Sequence, residues 1–504
     1  MSQPTETISS LGLLPHYDLF INGEFIPSTN PDSKCTSISP VDGSTLSTFA
    51  NATKEDVDKA VEAAWAAFKT WKKTTPRERS EILLRIANAI EQNKEKLAKI
   101  ETMDNGKSLR ETLNVDIPSA AGHFRYFAAC ILAEEGSSNI LDEKYLSLIL
   151  REPIGVVGQI VPWNFPFLMG AWKLAPVLAA GDCTVFKPSS ETSLSILEFA
   201  RITKDIIPKG VFNVITGRGS QSGQYLLDHP KLSKLAFTGS TEIGLSVGLA
   251  AAKKIIPSTL ELGGKSANIF FDDCDFDLAI DGACMGILFN QGQICCAGSR
   301  IFVQDTFYDK FVEALIKEFN SVKVGNSLDL NTMMGAQINA KHLKKILDWI
   351  KLGESEGCKI GCGGIQVIEN GLDKGCYMRP TLLLNATNKM KVAQEEIFGP
   401  VAVVIKFHDV EEVIAMANDS IYGLGGAVWT KNINKAIKVA REVETGRMWV
   451  NTYNALPDGA PFGGYKKSGI GRETHKVILE HYTQMKNIMI NLSETPSGLY
   501  PKAY

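Results

Sequence analysis

The chain has 504 residues, of which 44% are hydrophobic and 22% are charged, with a formal net charge of -3 at pH 7. This composition is typical of a globular protein with two or three domains and excludes a disordered or fibrous chain. There is no basic field and no acidic tail, so the charge gives no indication of a nucleic-acid partner.

The ten cysteines are scattered, without a C-x-x-C pair, a nearby histidine cluster or the short spacings of a disulfide framework. We therefore expect free thiols in a reducing compartment, and no metal site. Residues 1–10 lack the basic and apolar regions of a signal peptide, and the longest apolar run, 154–180, is interrupted by polar residues. The sequence predicts a soluble cytoplasmic protein without a membrane partner.

The first third of the chain predicts a hairpin followed by helices. An Asn-Gly pair at 22–23 between apolar residues is a strong hairpin signal. Apolar residues recur at helical spacing over 54–68. Thr75 to Glu78 reads as a capping box that opens one long amphipathic helix reaching Leu97.

Two segments predict strands of a small separate sheet. Residues 145–150 have a strand-like pattern, and so do residues 484–492 near the end of the chain. The second segment could pair with the first or with a neighbouring subunit. Exposed strand edges of this kind are covered by subunit pairing, so we expect a homodimer or a homotetramer.

From Ile154 onward the pattern alternates between strands and helices. Strands are predicted at 155–161, 183–186, 211–215 and 234–237, with helices between them, and a second series runs from 266 to about 450. This alternation predicts an α/β protein with mostly parallel, doubly wound sheets.

The stretch Phe289–Arg300, F-N-Q-G-Q-I-C-C-A-G-S-R, places two adjacent cysteines after a glycine-containing turn. Exposed and partly ionised thiols are good nucleophiles. Buried cysteines behave instead as small apolar residues, and this stretch alone fits both interpretations.

Three further motifs fit a binding site, and each has a structural alternative. Phe237–Gly244 joins a strand to a helix, where helix amides bind phosphate, but a simple tight turn looks the same. Lys187 ends a buried strand, where doubly wound sheets bind ligands, or lies on the surface. Asn164, within P-W-N-F-P, either stabilises an oxyanion or only satisfies a buried amide.

Carboxylates occur in two further motifs. Glu261 lies between leucines ahead of two glycines, and burial there would raise its pKa towards that of a general base. A nearby cation would neutralise it instead. Glu395 and Glu396 precede a rigid turn, and a solvated helix end is the alternative there.

Taken in order, the motifs of the chain read W-N-F-P, K-P-S, F-T-G-S-T-x-x-G, E-L-G-G-K-S, N-Q-G-Q-x-C-x-A-G-S-R, E-E-I-F-G-P and P-F-G-G-Y-K-x-S-G-x-G-R-E. They resemble the aldehyde dehydrogenase superfamily over nearly the whole chain. A narrower resemblance to its aliphatic, acetaldehyde-type members is carried by His123–Phe127, Ala133–Gly136 and Gly469–His475. The resemblance implies a Rossmann-like doubly wound cofactor domain, an α/β catalytic domain and a small oligomerisation sheet. It implies a cofactor domain at 1–133 and 153–262, a catalytic domain at 263–472, and oligomerisation strands and tail at 134–152 and 473–504.

The resemblance also implies the role of each site residue, without a metal. Cys295, two positions after Gln293, is the nucleophile, Asn164 the oxyanion donor and Glu261 the general base. The implied cofactor contacts are Trp163, Lys187, Ser190, Gly239, Ser240, Gly244, Glu396 and Phe398. The implied apolar substrate pocket consists of Phe165, Leu168, Met169, Trp172, Ile294, Leu456 and Phe462.

The implied reaction oxidises a small aliphatic, acetaldehyde-like aldehyde to the acid through a cysteine hemithioacetal and thioester, with hydride transfer to NAD or NADP. Betaine aldehyde is the alternative substrate, but Phe165 and Phe462 form a weaker cation-binding box than tyrosine and tryptophan would. A CoA-acylating member would not need the water-activating Glu261, and a non-enzymatic member would lack the nucleophile or the base.

Ser190 is a departure from the family pattern. Many NAD-preferring members carry a glutamate at this position, whose carboxylate would repel the 2′-phosphate of NADP. A small neutral serine removes that repulsion, so we expect NADP to be accepted. Glu191, the next residue, could swing back and restore a preference for NAD.

Overall fold

The computed structural model describes residues 11–500, and an eight-stranded sheet forms the first half of the architecture. After Val156–Ile160 the chain adds two parallel strands on one side and then crosses to add two more on the other. This reversal gives a doubly wound sheet with a switch point at which ligands bind. The strand order is Gly469–Ile470, Ser258–Glu261, Lys234–Thr238, Val156–Ile160, Cys183–Lys187, Phe212–Val214, Leu19–Ile21 and Glu24–Ile26.

A seven-stranded sheet forms the second half. Its strands are parallel except for the first pair, and most of their side chains are buried, which accounts for their continuous apolar sequence. The strand order is Lys359–Cys362, Thr381–Leu384, Val401–Phe407, Arg300–Gln304, Ala267–Phe270, Gly425–Trp429 and Arg447–Val450.

A small antiparallel sheet contains Ser137–Ile140, Tyr145–Pro153 and Thr483–Asn491. Of the two pairings open to the last strand, the structure shows the one with Tyr145–Pro153. Apolar side chains of this sheet face solvent, among them Ile140 at 73% exposure and Met485 at 64%. Two minor sheets contain His16–Tyr17, Thr45–Ala50 and Lys34–Ile38, and Tyr422–Gly423 and Tyr465–Lys466.

Helices connect most of the strands, and the α/β class predicted from the sequence is confirmed. No helix within residues 11–500 is long and apolar enough to cross a membrane. The α-helices are Lys54–Trp71, Pro76–Gln92, Lys94–Asn105, Leu109–Glu111, Ile117–Leu132, Pro166–Ala180, Leu194–Thr203, Gln224–Asp228, Thr241–Lys254, Phe276–Leu288, Tyr308–Ser321, Ala340–Ser355, Lys391–Gln394, Val410–Asn418 and Ile433–Glu442.

The single long helix predicted from Thr75 to Leu97 is wrong, because the chain forms two helices there. At Asn93 the backbone leaves the helical region, and the side-chain amide donates to the Ala89 carbonyl at 2.8 Å, which ends the first helix. The predicted capping box at Thr75 and the hairpin at 22–23 are both confirmed.

The sequence bounds of the domains stay a proposal. The strand Gly469–Ile470 belongs to the segment assigned to the catalytic domain, yet it pairs with Ser258–Glu261 in the first sheet. The chain therefore crosses between the two halves near residue 469, which brings their edges together around one site.

Candidate active site

Four strands of the first sheet end at one edge, and each delivers a predicted site residue. Asn164 follows Val156–Ile160, and Lys187 ends the neighbouring strand. On the other side, Ser240 follows Lys234–Thr238 and Glu261 ends the strand Ser258–Glu261. The carboxyl ends of parallel strands share one edge, so the fold gathers residues that are far apart in the sequence.

The second sheet supplies the other wall of the site. Cys295 lies just before the strand Arg300–Gln304, and Glu396 lies just before Val401–Phe407. Between the two sheets is a cavity of about 530 Å³. All the predicted site residues line it except Gly244, namely Trp163, Asn164, Phe165, Leu168, Met169, Trp172, Lys187, Ser190, Gly239, Ser240, Glu261, Ile294, Cys295, Glu396, Phe398, Leu456 and Phe462.

Gly244 lies on the helix that follows the glycine turn, away from the cavity lining. A methyl group added at this position would strike the side chain of Leu262. Glycine at this position therefore allows the helix to pack closely against Leu262 of the same chain. Gly244 does not line the cavity, so it is not placed to contact a molecule bound there.

The turn before Cys295 has an unusual backbone. Asn290 and Gln291 have φ values of 48° and 56°, and Gly292 follows with φ of 71°. A side chain at Gly292 would collide with the carbonyl of Gly399. The turn that carries the cysteine is therefore held directly against the turn that carries Glu396 and Phe398.

The Cys295 thiol is partly exposed to the cavity. A hydrogen bond with the Cys296 thiol raises its pKa well above the usual value, and burial and the nearby Glu396 and Glu261 raise it further. The thiol is consequently protonated near neutral pH. A cation bound beside it would favour the nucleophilic thiolate.

Two N–H donors stand near the thiol with hydrogen-bonding capacity to spare. The Asn164 side-chain amide donates one N–H to the Gln293 carbonyl at 2.9 Å, and its second N–H has no acceptor among residues 11–500. Within the same described residues, the main-chain N–H of Cys295 also has no acceptor. Such donors are suited to an oxygen that becomes negatively charged during a reaction.

Glu261 is a buried carboxyl, 3% exposed, and neither of its oxygens has a hydrogen-bond partner within the described chain. Burial raises its pKa well above the usual value, and the neighbouring Glu473 raises it further, while Lys173 opposes the shift. An unpartnered carboxyl with a raised pKa beside a thiol is suited to accepting a proton from water.

The part of the cavity nearest the first sheet has the properties of a dinucleotide site. Lys187 is buried, and burial lowers its pKa to about 8. Within the described part of the chain, its ammonium donates only to the Pro188 carbonyl, at 3.0 Å. Ser240 caps the helix Thr241–Lys254, whose N-terminal end carries partial positive charge. These groups can hold hydroxyls and phosphates.

Glu396 faces the same cavity from the second sheet. Its carboxylate accepts the Gly264 N–H at 3.0 Å, and burial raises its pKa to about 7. A Cβ atom at Gly263 would lie 2.6 Å from this carboxylate, which would then have to move from its present position. The carboxyl is thus fixed where it can accept from a sugar hydroxyl.

His342 lines the cavity, although its sequence context gave no sign of this. The imidazole bonds the Phe398 carbonyl at 2.7 Å, and its ring centre lies 5.2 Å from that of Trp163. Phe398 has φ of 62°, which is rare for a bulky residue and is typical of strained functional sites. Burial lowers the pKa of His342 to about 4, so the ring is neutral.

The part of the cavity lined by the predicted substrate-pocket residues is apolar. The rings of Trp172 and Phe462 lie 5.3 Å apart at their centres, and Phe165 lies 6.0 Å from Phe289. Val115 and Ser119 also line the cavity and are not predicted from the sequence, since the helical pattern there gives no indication of which face meets the cavity.

Residues 25–488 match the model of the aldehyde dehydrogenase family. An acetaldehyde dehydrogenase of Pseudomonas aeruginosa is 47% identical over 493 residues, covering 96% of this chain and 97% of the relative.

Solved structures of related proteins have the same fold. An NAD+ complex of aldehyde dehydrogenase from Bacillus cereus superposes with a TM-score of 0.93 at 39% identity, covering 98% of this chain and 99% of that one. A betaine aldehyde dehydrogenase from Staphylococcus aureus in complex with NAD+ has a TM-score of 0.95 at 38% identity, and covers 99% of each chain.

Proposed function

This chain belongs to the aldehyde dehydrogenase family and oxidises an aldehyde to the carboxylic acid, and on that premise we propose that Cys295 is its nucleophile. The observation that supports this most directly is the arrangement around the thiol. Two N–H donors with spare capacity and one unpartnered carboxyl line the same cavity as Cys295.

In the first step the Cys295 thiol loses its proton to solvent water, and the thiolate sulfur adds to the aldehyde carbon, which forms a hemithioacetal. The carbonyl oxygen gains negative charge, and the second N–H of Asn164 and the main-chain N–H of Cys295 stabilise it. Removing one such donor typically costs about 3–4 kcal/mol of transition-state stabilisation.

The cofactor is held by residues that this chain supplies. Lys187 and Ser190 would bind the adenosine ribose, Ser240 and the helix N-terminus would bind the pyrophosphate, and Glu396 would bind the nicotinamide ribose, while Trp163 and Phe398 would contact the nicotinamide. The NAD+ complexes of related proteins support NAD as a cofactor. Oxidised nicotinamide, when bound, would accept the hydride that leaves the hemithioacetal carbon, which gives a thioester.

Glu261 serves the last step. Its ionised carboxylate takes a proton from water, and the resulting hydroxide attacks the thioester carbon and releases the acid from Cys295. This role distinguishes hydrolysis from transfer of the acyl group to CoA, which needs no such base. If Glu261 has this role, the enzyme should release free carboxylic acid in the absence of CoA.

We further propose that NADP is accepted. Ser190 lines the cavity, whereas Glu191 does not. The Glu191 carboxylate accepts from the Asn339 side-chain amide at 2.9 Å, which holds it away from Ser190. This contact weakens the possibility that Glu191 returns to repel a 2′-phosphate.

Replacing Ser190 with glutamate is expected to lower kcat/KM for NADP by about tenfold or more, because the new carboxylate repels the 2′-phosphate. Ser190→Gln is the matched control, with the same length and no charge, and should lose much less. Initial rates with each cofactor at saturating aldehyde measure this. Absence of turnover with millimolar NADP in the parent enzyme would contradict the proposal.

For the substrate, we propose small aliphatic aldehydes, since the aldehyde end of the cavity is lined by Leu168, Met169, Ile294 and Leu456 beside its aromatic rings. Betaine aldehyde is the second candidate, because three aromatic residues that line the cavity, Phe165, Trp172 and Phe462, are of the type that attracts a cation.

We expect kcat/KM for acetaldehyde to exceed that for betaine aldehyde, because Phe165 and Phe462 give a weaker cation–π attraction than tyrosine and tryptophan would, and no tyrosine among residues 11–500 lines the cavity. Initial rates with both aldehydes, each with NAD and with NADP, are the measurement. A higher value for betaine aldehyde would reverse the substrate assignment and leave the reaction type unchanged.

We also propose a homodimer or homotetramer in which the small sheet is an interface. The exposed apolar residues of this sheet, Ile140, Leu150, Met485 and Met489, are the support for this.

The ten free cysteines are suited to a reducing compartment, and we propose a cytoplasmic location on that ground.

A further inference from the structure

The buried Asn290 side chain lies between the oxyanion turn, which carries Asn164, and the nucleophile turn, which carries Cys295. Its side-chain nitrogen donates to the carbonyl of Asn164 at 3.0 Å and to the carbonyl of Gln293 at 3.0 Å. Among residues 11–500, it is the only side chain that donates to both of these turns. One turn follows a strand of the first sheet, and the other precedes a strand of the second.

The position of Asn290 is itself fixed. Its main-chain N–H donates to the Glu111 carboxyl at 3.1 Å, and its φ of 48° lies in the left-handed region that asparagine tolerates better than most residues. The residue is fully buried. The main chain of Asn290 is therefore held by a contact with a residue that does not line the cavity.

The contacts of Asn290 bear on the Asn164 amide. The carbonyl of Gln293 accepts from both Asn290 and Asn164, and these bonds orient the Asn164 amide so that one N–H is used and the other stays available. Small displacements of a catalytic group from its productive geometry have large effects on rate.

We propose that Asn290 is a positioning residue that joins the oxyanion turn to the nucleophile turn and sets the position of the Asn164 amide relative to Cys295. It does not touch the substrate. The inference rests on the proposed oxyanion role of Asn164, and it goes beyond that role by assigning the residue on which the alignment of the two turns depends.

The test is a double-mutant cycle with Asn290→Gly and Asn164→Ala. Glycine accepts the left-handed backbone, so it removes the amide with little strain. We expect Asn290→Gly to lower kcat/KM for acetaldehyde by about 10- to 100-fold in the parent, and by less than about threefold in the Asn164→Ala enzyme, because a misplaced donor cannot matter once that donor is gone.

Asn213 provides the matched control. It is fully buried, and its side-chain nitrogen also donates to two main-chain carbonyls, those of Thr184 at 3.2 Å and Gly210 at 2.8 Å. It does not line the cavity. Asn213→Gly should therefore change kcat/KM little, even where it lowers the melting temperature. If Asn290→Gly does not fold, Asn290→Asp keeps the shape and removes the N–H donors.

The outcomes are distinguishable. Equal losses from Asn290→Gly in both backgrounds would overturn the positioning role, because the residue would then act independently of Asn164. An Asn164→Ala enzyme as active as the parent would contradict the oxyanion role itself, and the inference would fall with it. Unchanged cofactor affinity in all variants is the check that the cavity stays intact.

Discussion

Replacement of Cys295 with alanine is expected to abolish aldehyde oxidation, with a loss in kcat of about 10⁴-fold or more. Without the thiol no hemithioacetal forms, and neither hydride transfer nor acyl release has a covalent intermediate to act on. Steady-state formation of the reduced cofactor measures the loss. Cofactor affinity should be unchanged, since the predicted cofactor contacts come from other segments of the chain.

Cys296→Ala is the matched control for this result. The Cys296 thiol is 1% exposed and contacts the Asn454 side chain at 3.7 Å. The hydrogen bond between the two thiols raises the pKa of Cys295, so we expect Cys296→Ala to lower that pKa and to retain turnover. Substantial activity in Cys295→Ala, or its loss in Cys296→Ala alone, would reverse the assignment of the two cysteines.

Replacement of Glu261 with glutamine is expected to lower steady-state kcat by about 10²- to 10⁴-fold, the range typical of a missing general base. The first turnover should survive, because addition and hydride transfer do not need this carboxylate. Rapid mixing should then show a burst of reduced cofactor close to the enzyme concentration, followed by a slow phase.

The pH dependence gives an independent readout of the same change. Burial and Glu473 raise the pKa of Glu261, and only the ionised carboxylate accepts a proton. The rate of acyl release in the parent enzyme should therefore rise as the pH increases through that raised pKa. Glu261→Gln should lose this dependence. A variant without a burst, slow already in its first turnover, would place Glu261 in an earlier step.

Much of the site could be predicted because strand ends and glycine-containing turns have recognisable sequence patterns. Lys187 and Glu261 end apolar runs, and Gly239 separates a strand from a helix, so their common edge follows from the parallel topology. Because these residues are at the end of their strands or directly after it, the positions of the strands largely determine where these residues lie. Their roles stay predictions until the variants are measured.

The remaining features depend on long-range contacts that local patterns do not contain. His342 reaches the cavity through packing on Trp163 and Phe398, which are far away in sequence. The direction of the Glu191 side chain is set by Asn339, 148 residues further on. The helix break at Asn93 was missed because apolar spacing continues across it.

The central claim is that the aldehyde carbon becomes covalently bound to Cys295 as a thioester. The most direct measurement is mass analysis of Glu261→Gln enzyme quenched in acid after mixing with acetaldehyde and NAD. We predict one acetyl group on the peptide that carries Cys295, and none when Cys295→Ala is added to the same variant. An unmodified peptide during the burst, or an acetyl group that persists without Cys295, would contradict the claim.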